Sequence, residues 1–70
     1  MGKIHQGTID FFNQVKGYGF IKDDEGESYF VHISEYVDEG DGGLDRGDRV
    51  EYALGPGRDG KPMAVDVRVI

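Results

Sequence analysis

Cysteine is absent from the chain, so neither disulfides nor thiolate metal sites are available to staple a fold, and stability must come from packing alone. No apolar stretch runs beyond a few residues, and the start, Met1-Gly2-Lys3-Ile4-His5-Gln6, has no signal-like apolar segment. Nothing here is expected to cross a membrane or be secreted, so a cytoplasmic protein is expected. No segment repeats apolar residues at helical spacing over several turns, which excludes folds built on long helices. Cations are scarce as well: 8 Lys and Arg face 14 Asp and Glu, for a net charge of -6. That balance argues at first against a polyanionic partner.

What is present reads as a small β domain. The 70 residues fit one unit, 1–70, whose single core leaves a margin of only about 3–5 kcal/mol. The 12 glycines, with Pro56 and Pro62, cut the chain into short pieces. Five strands are predicted over 6–13, 17–22, 28–33, 49–54 and 63–70 from β-favouring residues and period-two alternation. Residues 23–27 read as a turn, 34–36 as one short helical turn, and 38–43 as a long polar surface loop. Leu44 re-enters the core. In the last two strands Val50, Tyr52 and Leu54, then Val65, Val67 and Val69, alternate with polar neighbours. Five short antiparallel strands with one long connection fit an all-β, five-stranded Greek-key barrel of the OB type, which leaves no open sheet edges.

Charge location matters more than the total. The acids gather in Asp23-Asp24-Glu25 with Glu27 and in the stretch from Asp38 to Glu51, both read as loops or solvated edges. The aromatic segments carry Lys16 and Lys22, with Asp10 as their only acid. Within Gly17-Tyr18-Gly19-Phe20-Ile21-Lys22, alternation places Tyr18, Phe20 and Lys22 on one face. In the following strand it separates Phe30 and His32 from Tyr29, Val31 and Ile33, and the β-branched set is the better core face. Tyr18, Phe20, Phe30 and His32 are thus predicted to face solvent, while Phe12, Tyr29 and Tyr52 belong to the core. An exposed aromatic patch marks a binding surface. Its natural ligand is an unpaired nucleobase, since every base offers a π-face and each stacked base contributes about 1–3 kcal/mol. Lys16 stands where an ammonium reaches a phosphate, and His32 can stack or donate to a base edge.

At these residues the chain resembles the cold-shock domain family. Lys-Gly-Tyr-Gly-Phe-Ile at 16–21 is similar to that family's first RNP motif, Tyr-Phe-Val-His-Ile at 29–33 to its second, and Phe-Phe-Asn at 11–13 stands where the family usually has Trp-Phe-Asn. The resemblance covers residues 7 to 70. It implies an OB-like barrel that binds single-stranded RNA or DNA, an ATP-independent RNA chaperone with a role in stress. It also implies ligand contacts from Phe11, Lys16, Tyr18, Phe20, Phe30 and His32, with Asn13 as a further contact. Several positions depart from the pattern. Ile33 replaces a frequent Phe, Asp41 a frequent aromatic and Asp10 a frequent Lys. Phe11 lacks the indole N–H, and Lys61 interrupts the usual Gly-Pro pair before the last strand. Each departure predicts a weaker grip.

Rival readings fare worse. An RNA-recognition-motif fold needs two amphipathic helices and the opposite order of its two RNP segments. The run from Gly55 to Lys61 imitates a phosphate-binding loop, but Pro62 and a strand follow where Ser or Thr and a helix are required. Asp23 to Glu27 lacks the ligand spacing of a calcium loop. No serine–histidine–carboxylate pattern supports an enzyme, and no cofactor, metal or small-molecule substrate is expected. A peptide-binding use of the same aromatic face is the remaining alternative. A monomer that captures unpaired nucleic acid is the reading the residues favour.

Overall fold

The computed structural model describes residues 3–37 and 43–70; Asp41 and all but the last residue of the expected 38–43 loop lie outside them. Five strands form: β1 (His5–Asn13), β2 (Tyr18–Asp23), β3 (Ser28–His32), β4 (Arg49–Pro56) and β5 (Pro62–Val69). Short 3-10 turns occupy Ile33–Glu35 and Arg58–Gly60. The strands make one antiparallel sheet in the order β3-β2-β1-β4-β5. A three-strand meander whose first strand also receives the fourth is the Greek-key arrangement. The outer strands β3 and β5 pack against each other, and a bridge from Tyr36 to Val67 helps join them. The sheet therefore curls into a barrel, with packing rather than a full hydrogen-bond ladder at the seam.

Inside lie Ile9, Ile21, Val31, Leu44, Val50, Tyr52, Ala64 and Val67, backed by Phe12, Tyr29, Tyr36 and Leu54. Each fully buried aliphatic side chain contributes about 1.5–3 kcal/mol. Two irregularities decide which residues reach this core. In β1 the pairing steps from Ile9↔Ile21 to Phe11↔Phe20, so Asp10 is an extra residue that bulges the strand. The bulge turns both Ile9 and Phe12 inward and Phe11 outward. In β5 the step from Arg68 to Val65 spans one residue more than its partner step from Glu51 to Ala53, and Asp66 takes a left-handed φ of 52°.

The Asp66 bulge corrects the expected Val65/Val67/Val69 stripe. Ala64 and Val67 are buried, whereas Val65 is only partly covered and Val69 is exposed. Ile33, expected inward, is also exposed, because β3 ends at His32 and the chain turns there. A third correction concerns Asp23, expected in a solvated turn. It is the last residue of β2 and only 5% exposed.

Both oxygens of Asp23 are engaged. The Tyr52 hydroxyl donates to Oδ2 at 2.5 Å, and the Glu25 backbone N–H donates to Oδ1 at 2.8 Å. His5 places Nδ1 3.4 Å from Oδ2 and stacks on Tyr52 with ring centroids 5.7 Å apart. Its ring also meets Tyr29 edge-on. The Tyr52 bond, with help from the Glu25 amide, holds the Asp23 carboxyl below the usual carboxylate range against the opposing pull of burial. Burial and the same hydrogen bond push the Tyr52 phenol well above its ordinary value. This cluster pins the β2–β3 turn to β1 and β4, fixing the strands that carry the outer aromatics.

Candidate nucleic-acid interface

The outer face of β1, β2 and β3 is organised in cross-strand rows. Phe11 pairs with Phe20 and Phe20 with Phe30, so three phenylalanines occupy facing positions across three strands. The next row is Asn13, Tyr18 and His32. Phe20 meets Phe30 edge-on with centroids 6.0 Å apart, and Tyr18 meets Phe30 at 5.9 Å with a tilt of 34°. Directly opposed aromatic pairs stabilise a sheet by fractions of a kcal/mol up to about 1. Phe11, Phe20 and Phe30 nevertheless stay 47%, 42% and 37% exposed, whereas Gly19, Ile21 and Val31 on the opposite face are buried. Gly19 is required by close approach: a Cβ there would run into the Phe11 carbonyl oxygen and come within 2.8 Å of the Phe12 Cα.

Lys16 stands exposed in the turn joining β1 to β2, at the edge of the Asn13–Tyr18–His32 row. Asn13 makes that turn. Its side-chain oxygen accepts from the Val15 and Lys16 backbone N–H groups at 3.0 and 2.9 Å, and its carbonyl accepts from Gly17 at 2.8 Å. The Asn13 oxygen is thus committed to shaping the turn, and the amide NH2 is the side chain's remaining hydrogen-bonding group. Gln14 donates from the same turn to the Leu44 carbonyl and, at 3.0 Å, to the Asp45 carboxylate, tying the turn to the chain that enters β4. Lys22 is exposed two residues beyond Phe20, in a row with Thr8 and Ser28.

Beside the platform lies a cleft of about 700 Å³. One wall is Tyr18, Phe30, His32 and Ser34; the other is Asp59, Lys61, Pro62 and Met63 from the β4–β5 connection. That connection reads in sequence as a plain turn. Its 3-10 segment, with Asp59 at a left-handed φ of 58°, instead brings a lysine, a carboxylate and two apolar side chains up to His32. Of the seven site residues expected, the sheet gathers Phe11, Asn13, Tyr18, Phe20, Phe30 and His32 into two adjacent rows, with Lys16 at their edge.

Among the described residues, the acids near this face are Asp10 on its bulge and Asp59 in the cleft. Asp24 is engaged elsewhere: Arg49 grips it through two bonds of 2.7 and 2.9 Å, which lowers the Asp24 carboxyl from its ordinary value. Among the described residues no group of His, Asp and Glu is placed to hold a metal ion. No described helix is long and apolar enough to cross a membrane.

Comparison with known proteins agrees with this geometry. The family described as the 'cold-shock' DNA-binding domain matches residues 5–70. The cold shock-like protein of Thermotoga maritima is 42% identical over 65 residues, covering 93% of this chain and 97% of that protein. The cold shock protein CspC of Bacillus subtilis is 38% identical over 61 residues, 87% of this chain and 92% of its own. Cold shock protein 1 of Arabidopsis thaliana is 50% identical over 62 residues, 87% of this chain, but the match spans only 21% of that longer protein. Among solved structures, the Drosophila Unr CSD456 superposes with a TM-score of 0.82 at 26% identity over 99% of this chain and 27% of that one. With the sequence match covering nearly the whole chain and the barrel and aromatic rows in place, the protein belongs to the cold-shock DNA-binding domain family.

Proposed function

We propose that this domain, spanning residues 1–70, binds single-stranded RNA or DNA by stacking unpaired bases on Phe11, Tyr18, Phe20, Phe30 and His32. Lys16 engages a phosphate and the Asn13 amide donates to the ligand. The observation that carries this reading is the cross-strand row of phenylalanines on β1, β2 and β3, left exposed over a buried core. Stacking serves bases of any identity and is denied to bases inside a duplex. A binder that holds only the open form of a hairpin shifts its equilibrium by mass action, without nucleotide hydrolysis. The protein acts in this reading as a monomeric cytoplasmic RNA chaperone in stress, a binder rather than an enzyme.

A titration with hexathymidylate and hexauridylate, followed by tyrosine fluorescence, tests the binding. Micromolar oligonucleotide quenches the wild type, and Phe20→Ala or Phe30→Ala weakens binding about 5- to 150-fold, the equivalent of one stacked base. A molecular-beacon hairpin tests the chaperoning: excess wild type opens it and Phe20→Ala does not. Unchanged fluorescence with either strand rejects nucleic-acid binding and favours a peptide ligand for the same face.

A further inference from the structure

The cleft contains one polar group whose hydrogen-bonding sense is fixed by the fold. His32 ends β3 and caps the 3-10 turn that follows; its Nδ1 accepts from the Ser34 backbone N–H at 3.1 Å. The Ser34 hydroxyl oxygen lies 2.9 Å from the same nitrogen, and with the lone pair already accepting from the backbone N–H, the hydroxyl is the partner able to donate there. An Nδ1 that accepts carries no proton, and the neutral imidazole then has its N–H at Nε2. Tyr18 opposes His32 in the sheet, and Tyr18, Phe30 and Ser34 share the cleft wall with it. Lys61 stands on the facing wall.

We infer that Ser34 is a positioning residue that locks His32 in the Nε2–H tautomer, giving the cleft a directional donor for a carbonyl oxygen on a base edge. This rests on the proposed stacking function and adds to it. Stacking alone tolerates any base, whereas a fixed donor distinguishes a base with a good acceptor at that place from one without. Ser34 is exposed and outside the core, so its substitution tests the His32 ring and not the fold. The hydroxyl acts in concert with the backbone N–H: without it the ring keeps a single partner and regains freedom to rotate and to exchange tautomers.

The first measurement is long-range ¹H–¹⁵N NMR of the His32 ring in mildly alkaline buffer. The wild type shows the Nε2–H pattern, Ser34→Ala shows a mixture, and Ser34→Thr, which keeps the hydroxyl, restores the wild-type spectrum. The second measurement uses hexathymidylate and its 2-thio and 4-thio analogues, which keep the ring for stacking but offer weaker acceptors. Wild type and Ser34→Thr prefer the oxygen form over at least one thio form by about three- to tenfold, the worth of one hydrogen bond. Ser34→Ala narrows that preference and His32→Ala abolishes it. A wild-type Nδ1–H tautomer, equal affinity for all three oligonucleotides, or a Ser34→Ala protein identical to wild type in both measurements overturns the inference. The last result, with His32→Ala still weakening hexathymidylate binding, leaves the stacking function standing. If His32→Ala binds as tightly as wild type, the role of His32 in the proposed function fails first.

Discussion

Replacing Tyr52 by Phe removes a single oxygen from the barrel interior and tests how the platform is held. The Tyr52 hydroxyl donates to Asp23 at 2.5 Å, and Asp23 is 5% exposed. A hydrogen bond to a charged group contributes about 1.5–3 kcal/mol, and a buried acceptor left without its donor lies at the upper end of such losses. His5, 3.4 Å away, and the Glu25 amide remain, so about 2 kcal/mol is the expected cost. For a domain of this size that lowers Tm by about 8–16 °C and removes roughly half of a 3–5 kcal/mol margin.

The pH dependence gives the test its specificity. Asp23 has a folded pKa below its unfolded value. Its contribution is therefore complete above the ordinary carboxylate range near pH 4 and is lost as pH falls through the folded pKa. Tyr52 is shifted the other way, so its contribution is complete below about pH 10 and declines above, where the unfolded phenol ionises. The Tm difference between wild type and Tyr52→Phe should form a plateau between those limits and close on both sides. Circular-dichroism melts from pH 2 to 11 measure it. A loss under about 2 °C at neutral pH, or a difference that stays constant below pH 4, refutes the reasoning.

Other expectations are more local. Gly19→Ala forces a Cβ against the β1 backbone at Phe11 and Phe12 and should cost several kcal/mol, seen as a largely unfolded domain at 37 °C by amide NMR dispersion. Asp66→Gly relieves a left-handed φ of 52° and should change stability by no more than about 1 kcal/mol in urea melts, whereas Asp66→Val should cost about 1–2 kcal/mol or more, because a β-branched residue resists that conformation. With few cations on the stacking face, the slope of log affinity against log salt for hexathymidylate should lie near -1 to -2, at about -0.7 for each phosphate engaged; a slope steeper than about -4 shows that charge and not stacking drives binding.

Much of the platform was legible because period-two alternation is a local rule. Tyr18 and Phe20 oppose Gly19 and Ile21, and Phe30 opposes Val31, whatever the rest of the chain does. The same rule carried one residue further along β2 puts Asp23 inward beside Ile21, but an acid in an acidic run reads as solvated, and its partners His5 and Tyr52 lie far away in sequence. Bulges are harder to foresee. Asp10 breaks the alternation that would have put Ile9 and Phe11 on one face, and Asp66 does the same for Val65 and Val67; neither is glycine, the usual marker of such a site. The wall of Asp59, Lys61 and Met63 was hidden for a different reason: loop residues meet β3 only after the sheet has curled, and curvature is a property of all five strands together.

In the proposed binding the net charge of -6 matters chiefly through where the acids fall, and the fold disposes of several of them. Asp23 is buried and fully bonded, Asp24 is held by Arg49, and Asp48 accepts from the Asp45 backbone at 3.0 Å within its own turn. The β2 side chains on the aromatic face carry no acid: Tyr18, Phe20 and Lys22 stand outward while Asp23 points in. Those acids serve the architecture, and Asp23 in particular ties the β2–β3 turn to Tyr52 behind the sheet. Tyr52→Phe should for that reason weaken hexathymidylate binding even though Tyr52 is buried away from any ligand, with the loss growing as temperature approaches the lowered Tm. A Tyr52→Phe protein that binds as wild type up to the edge of its melting transition would show that the platform keeps its geometry without the buried anchor.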